Sequence, residues 1–236
     1  VLTTLVVNSA HSTTSLLLFF TGIAAIATFS WFKQGNSLAA IAAALLSFLV
    51  LMNWRQASFI EWAMDENGLW STILLGEAPQ FMRWMLFIGS AFTLLGLAGY
   101  LLRKASINWA AIAAASAFLF LVGTWARVDE MLRPGTWALL AILAAIALLG
   151  AVWLRRQHLL PANDNLAAGI LTIGSALLLL FAADRLFDSI WLSLAIAVLA
   201  LAYSGLTRVM AVQLLGPIAA AFGTLTTLRL FASRQF

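Results

Sequence analysis

The stretch from residue 137 to residue 154, WALLAILAAIALLGAVWL, holds eighteen residues without one charge and is followed at once by Arg155 and Arg156. As a helix it is ~27 Å long at 1.5 Å per residue, close to the ~30 Å hydrocarbon thickness of a bilayer. A strand crossing a membrane alternates apolar and polar residues in runs of about ten, and nothing here alternates. A helix also satisfies its own backbone polar groups, which lipid requires. This stretch therefore reads as a transmembrane helix, closed on one side by a basic pair.

Working outward, seven similar runs occur, giving expected spans at 16–32, 38–54, 84–102, 107–126, 137–154, 166–183, 190–206 and 212–231. The chain is 63% hydrophobic and 9% charged, with ten Trp and sixteen Phe in 236 residues. No single water-soluble core buries that much apolar surface. The expected fold is an all-α membrane protein of about eight transmembrane helices. Short connections make consecutive helices antiparallel neighbours, stacked as hairpins in one polytopic domain covering 1–236. The exception is 55–83, read as an interfacial or extramembrane loop whose two halves look amphipathic, with Trp62 and Trp70 at headgroup depth and a turn at Asn67 and Gly68. The first residues, 1–7, resemble the end of a preceding apolar segment, so a piece of a longer chain is expected.

Trp84, Trp137 and Trp191 are spaced by 53 and 54 residues, and each opens an apolar run that ends in a basic residue, Arg103, Arg155 or Arg208. This spacing suggests a repeating two-helix unit, although Trp and Arg anchor membrane helices in general.

The net charge of +4 does not point to nucleic acid, because the basic residues sit singly or in pairs at the ends of apolar runs. Loops after the odd-numbered spans carry Lys33, Arg103, Lys104, Arg155, Arg156 and Arg208, against Asp164 alone. The other side carries seven Arg and the eight remaining acids. Six basic residues against seven leave orientation nearly balanced; the face whose basic residues meet only Asp164 is assigned to the cytoplasm. The absence of Cys excludes disulfides, thiolate metal sites and Cys nucleophiles. His11 and His158 have no partner at ligand spacing, and no nucleotide, dinucleotide, zinc-hydrolase or serine-hydrolase motif occurs, so no metal or cofactor is expected.

The candidate functional polar cluster lies on the acid-rich side: Arg127, Asp129, Glu130 and Arg133; Asp184, Arg185 and Asp188; and Arg229 near the end of the last span. Were residues 184–188 helical, Asp184 and Asp188 would share a face with Arg185 beside them. That arrangement suits a hard cation or proton transfer. The plainer reading makes Asp188 the cap of a helix beginning at Ser189, and pairs Asp129 with Arg133 and Arg127 with Glu130. Arg229 snorkels to the interface. Gly216 and Pro217 either kink the last helix or mark its start. Two stripes of small residues, Ala110 with Ala114 and Ala117, and Gly216 with Ala220 and Gly223, are expected packing seams.

The segments FAADRLFDSIWLSLAIAVLALAYSGLTRV (181–209) and VQLLGPIAAAFGTLTTLRLF (212–231) resemble part of a family of very large, many-span bacterial membrane proteins of unknown function. The resemblance covers 181–236 and rests on Asp184, Arg185, Asp188, Trp191, Gly216, Pro217 and Arg229. It implies a long array of membrane helices in a bacterial inner membrane, this chain being an interior piece, and it implies no chemistry. The expected role is accordingly a scaffold or accessory module of an envelope complex, without enzymatic activity. Its partners are the bilayer and other membrane helices of the same chain or complex. A transporter with these charges around a cavity, and an enzyme acting on a lipid-linked or glycan substrate, are the alternatives.

Overall fold

The structure, a computed structural model, describes residues 13–32, 37–54, 60–64, 70–74, 78–102, 107–155, 162–210 and 212–232. The chain order is α1 (Thr13–Phe32), α2 (Ser37–Met52), β1 (Ile60–Met64), β2 (Trp70–Leu74), α3 (Ala78–Leu102) and α4 (Ile107–Val128). A single 3-10 turn (Asp129–Met131) leads to α5 (Pro134–Arg155), α6 (Ala162–Leu186), α7 (Ser189–Thr207) and α8 (Leu215–Ala232). Among the described residues six segments, Thr14–Phe32, Ala78–Leu102, Ile107–Met131, Pro134–Arg155, Asn165–Leu186 and Ile190–Thr207, are long and apolar enough to cross a membrane. The chain is thus a polytopic, helical integral membrane protein. Of the eight expected spans, α2 has 16 residues, ~24 Å of helix, and is shorter than the hydrocarbon core. α8, with 18, is not among the six either.

Proline sets three of the starts. Pro134 opens α5, Pro79 is the second residue of α3, and Pro217 is the third of α8. In a first turn the missing N–H has no intrahelical partner to lose, and the fixed φ suits the helix. α8 therefore begins at Leu215 rather than at 212, and Pro217 marks its start instead of a kink. α3 begins at Ala78, six residues before the expected 84, because Gln80 and Arg83 are polar yet helix-compatible.

The expected amphipathic pieces between α2 and α3 are strands. β1 and β2 pair antiparallel, with Ile60 opposite Leu74, Trp62 opposite Thr72 and Met64 opposite Trp70. Ile60, Trp62 and Met64 alternate with Glu61 and Ala63, the period of a strand. The expected turn at Asn67 and Gly68 lies outside the described residues, as do Asp65, Glu66, His11 and His158.

The helices form two compact units, one comprising Val1–Phe92 and Leu119–Arg133, the other Thr93–Phe118 and Pro134–Phe236. In the first, α1 packs on α2. Aromatic pairs fill the layer: Phe20 stacks on Trp84 (5.2 Å), Phe48 meets Phe120 edge-on (5.4 Å), and Trp54 meets Phe81 edge-on (5.9 Å). Gly89 lies so close to α4 that a Cβ there would stand 2.4 Å from the Phe120 Cβ.

In the second unit, α5 packs on α6, α7 on α8, and α6 also touches α7 and α8. A Cβ on Gly96 would lie 2.5 Å from the Ala113 backbone N, and one on Gly99 would overlap the Trp109 ring at 2.4 Å. This register, rising along α3 as it falls along α4, is antiparallel. Ala110, Ala114 and Ala117 are buried, the expected seam, and Ala114 abuts Gly174 of α6. The second expected seam is not one: Gly216 and Ala220 are exposed, Gly223 is half-exposed, and neither glycine has an atom within 4 Å of a built Cβ. The three Trp of the 53-residue spacing also differ, Trp84 being half-buried, Trp137 1% exposed and Trp191 65% exposed. They hold no equivalent packing position.

Candidate functional site

Polar side chains collect at helix ends, and several are fixed by backbone groups two helices away. In the first unit Arg127, in the last turn of α4, is half-buried. Its Nη1 donates to the Met52 carbonyl (3.0 Å) and its Nη2 to the Trp54 carbonyl (3.1 Å). The guanidinium also lies 5.7 Å from the centroid of the Phe81 ring. The carbonyls are those at the C-terminal end of α2, where the helix leaves acceptors unsatisfied and its dipole is negative. Arg127 therefore works as a C-cap in trans. Asp129, Glu130 and Arg133 surround the following turn and are all exposed.

The second unit repeats the device. Arg155, the last residue of α5, donates through Nη1 to the Tyr100 carbonyl near the end of α3, and its guanidinium lies 5.4 Å from the Tyr100 ring centroid. At the opposite kind of terminus, the Gln213 N–H donates to Asn165 Oδ1 at 3.0 Å, tying the entry of α8 to the first turns of α6. Just beside it Gly169 leaves room for the Leu214 side chain. These contacts bring the starts of α6 and α8 together.

Deeper in the second unit is a buried hydroxyl chain. Ser175 Oγ donates to the Thr172 carbonyl (2.8 Å) and accepts from Tyr203 Oη of α7 (2.6 Å). Ser175, Thr172 and Tyr203 are at most 1% exposed. Sequence reading missed this group, since single Ser, Thr and Tyr residues inside apolar runs carry no signal of mutual contact.

Asp184 and Arg185 form an ion pair at the end of α6, through Arg185 Nη2 and, at 3.2 Å, through Nε. The side chains are 49% and 27% exposed. The shared face expected for Asp184 and Asp188 is absent, because α6 ends at Leu186 and residues 187 and 188 are not helical. Asp188 occupies the N-cap position of α7 with extended backbone, φ −92° and ψ 152°, yet makes no side-chain cap hydrogen bond; only its carbonyl joins the helix, accepting from Leu192 N at 3.2 Å. Arg229 is half-exposed on α8, and the nearby Thr224, Thr226 and Thr227 hydroxyls donate to their own helix at Ala220, Phe222 and Gly223. Arg229 lies 14 residues beyond Leu215, ~21 Å along α8.

Among the described residues a cavity of about 430 Å³ is bordered by Ile142 of α5, by Leu179, Ala182, Ala183 and Leu186 of α6, by Phe187 of the connection, and by α7 from Trp191 to Leu199 on the face of Leu194, Ala195 and Val198. Its walls are apolar. Comparison of the chain with protein-family models, with curated proteins and with solved structures gave no match.

Proposed function

We propose that this chain is a structural membrane module, a scaffold or accessory part of an envelope complex in a bacterial inner membrane, rather than a catalyst or a conduit. The observation that carries the reading is how its partly buried cations are used. Arg127 and Arg155 hold the ends of neighbouring helices through backbone carbonyls and aromatic faces. A transporter keeps such charges around a wet cavity near the membrane midplane. Here the described cavity is apolar-walled, and Asp184 with Arg185 pairs at a helix end.

A scaffold works through its flanks. Phe87, Leu143 and Leu201 are 64%, 55% and 73% exposed on three helices, so they meet either lipid or other membrane helices. The test is photo-crosslinking in native membranes from a benzophenone amino acid placed at each of these positions. The reading expects a discrete protein adduct from at least one of them. Adducts with lipid alone from all three contradict it.

A further inference from the structure

We infer that the end of the second unit where α3 and α5 finish binds an anionic phospholipid, one whose headgroup carries two phosphates. The inference rests on the membrane setting and does not require the scaffold role.

Charge comes first. Arg103 and Lys104 directly follow Leu102, the last residue of α3; Arg155 closes α5 with Arg156 next to it, and Arg208 follows α7. Asp164 is the one acid in the sequence at this end. These five cations and one carboxylate account for the whole net charge of +4, because the other eight basic residues are matched by eight acids. Helix dipoles give no offset, since α4, α6 and α8 start where α3, α5 and α7 finish. The positive excess is thus confined to one place and has no counterpart within the chain.

The fold concentrates it. Arg155 donates through Nη1 to the Tyr100 carbonyl, and its guanidinium lies 5.4 Å from the Tyr100 ring centroid. That contact brings the helix end leading into Arg103 and Lys104 against the one leading into Arg156. The hydrogen bond from the Gln213 N–H to Asn165 Oδ1 draws in the third end, because Gln213 closely follows Arg208 and Asn165 opens α6 just after Arg155 and Arg156.

Depth fixes the partner. These cations stand at or just beyond the ends of helices of 25, 22 and 19 residues. Such helices are ~28–37 Å long, so their ends reach the headgroup layer around a ~30 Å core. The connections 103–106, 156–161 and 208–214 are too short to build a platform for a soluble protein. Guanidinium groups hold phosphate oxygens through paired N–H bonds, and clusters of about four or more basic residues just outside membrane helices select anionic headgroups. Two basic pairs joined through Tyr100 suit two phosphates better than one. Arg155 is the positioning residue, and phosphate binding falls to Arg103, Lys104 and Arg156.

The experiment is native mass spectrometry of the detergent-solubilised chain titrated with tetraoleoyl diphosphatidylglycerol, dioleoylphosphatidylglycerol or dioleoylphosphatidylcholine. The expected result is one diphosphatidylglycerol retained per chain, at least tenfold in preference to the choline lipid and threefold to the single-phosphate glycerol lipid. Arg103→Gln combined with Arg156→Gln lowers retention at least tenfold at unchanged helicity by circular dichroism. Arg83→Gln combined with Arg133→Gln removes the same charge from exposed positions of the first unit and leaves retention unchanged. Should the first pair not fold, the parent decides: its retention falls at least fivefold as ammonium acetate rises from ~0.1 to ~0.5 M, because salt screens the attraction. Retention indifferent to salt, no preference among the three lipids, or an equal loss in both double variants overturns the inference. So does displacement of the lipid by poly-glutamate of matched charge, since an acidic protein segment would then be the partner.

Discussion

Arg127 shows what one side chain does in this protein. Its two hydrogen bonds to Met52 and Trp54 and its place over Phe81 hold the end of α4 against the end of α2. Hydrogen bonds to a charged group contribute about 1.5–3 kcal/mol each, and the cation–π contact adds roughly 0.5–2 kcal/mol. Arg127→Gln is expected to lower the stability of the detergent-solubilised protein by at least about 2 kcal/mol. Arg127→Lys should restore only part of it, because an ammonium lacks the planar fork that spans two carbonyls. Chemical unfolding in mixed micelles measures both. The hydroxyl pair behaves differently: Ser175→Ala and Tyr203→Phe should couple by about 0.6–1.7 kcal/mol in a double-mutant cycle, the range found for hydrogen bonds between membrane helices. The polar residues themselves were plain in the sequence, but their partners were not. Met52 and Trp54 accept through backbone carbonyls, which every residue carries, and they precede Arg127 by 75 and 73 positions. Asp188 was legible as an N-cap position and misleading as a cap bond, because extended backbone at that residue does not by itself aim the carboxylate at the first turn.

At the scale of elements, close approach between helices depends on glycines at particular positions. A methyl on Gly96 meets the backbone of Ala113, which has no flexible end to swing away. Gly96→Ala should therefore destabilise the α3–α4 packing by about 1–3 kcal/mol, the usual range for overpacking. Gly150→Ala, where a Cβ meets nothing within 4 Å, should be neutral or stabilising by up to about 1 kcal/mol, since Ala is the better helix former. Thermal unfolding of the two variants side by side checks the contrast, and equal effects would contradict it. The helices were legible because a continuous apolar run of twenty residues has few other outcomes in a chain this hydrophobic. The β1–β2 hairpin was not: five residues of alternation, Ile60 to Met64, fit a short amphipathic helix turn nearly as well, and only pairing with Trp70–Leu74 distinguishes them. The stripe of Gly216, Ala220 and Gly223 taught the converse, since small residues at helical spacing permit a seam without specifying one.

At the scale of the whole molecule, the account stands on the apolar flanks facing lipid. Leu143, Ile146, Val198 and Leu201 are 55%, 59%, 55% and 73% exposed in the middle of α5 and α7. In water such a surface would be a large uncovered apolar area; in a bilayer it is the ordinary outer face of a span. The 53-residue Trp spacing gave no guide at this level, because Trp137 is buried where Trp191 faces outward. The chain has no cysteine, so single-cysteine variants can be made without removing a native thiol. The most direct measurement is the labelling rate of cysteines at 143, 146, 198 and 201, and at the helix-end positions 129, 184 and 208, by a charged maleimide in membranes opened so that both faces meet the reagent. The account predicts fast labelling at the helix ends and labelling at least a hundredfold slower at the four flank positions. Comparable rates at flank and end positions in intact bilayers would contradict it.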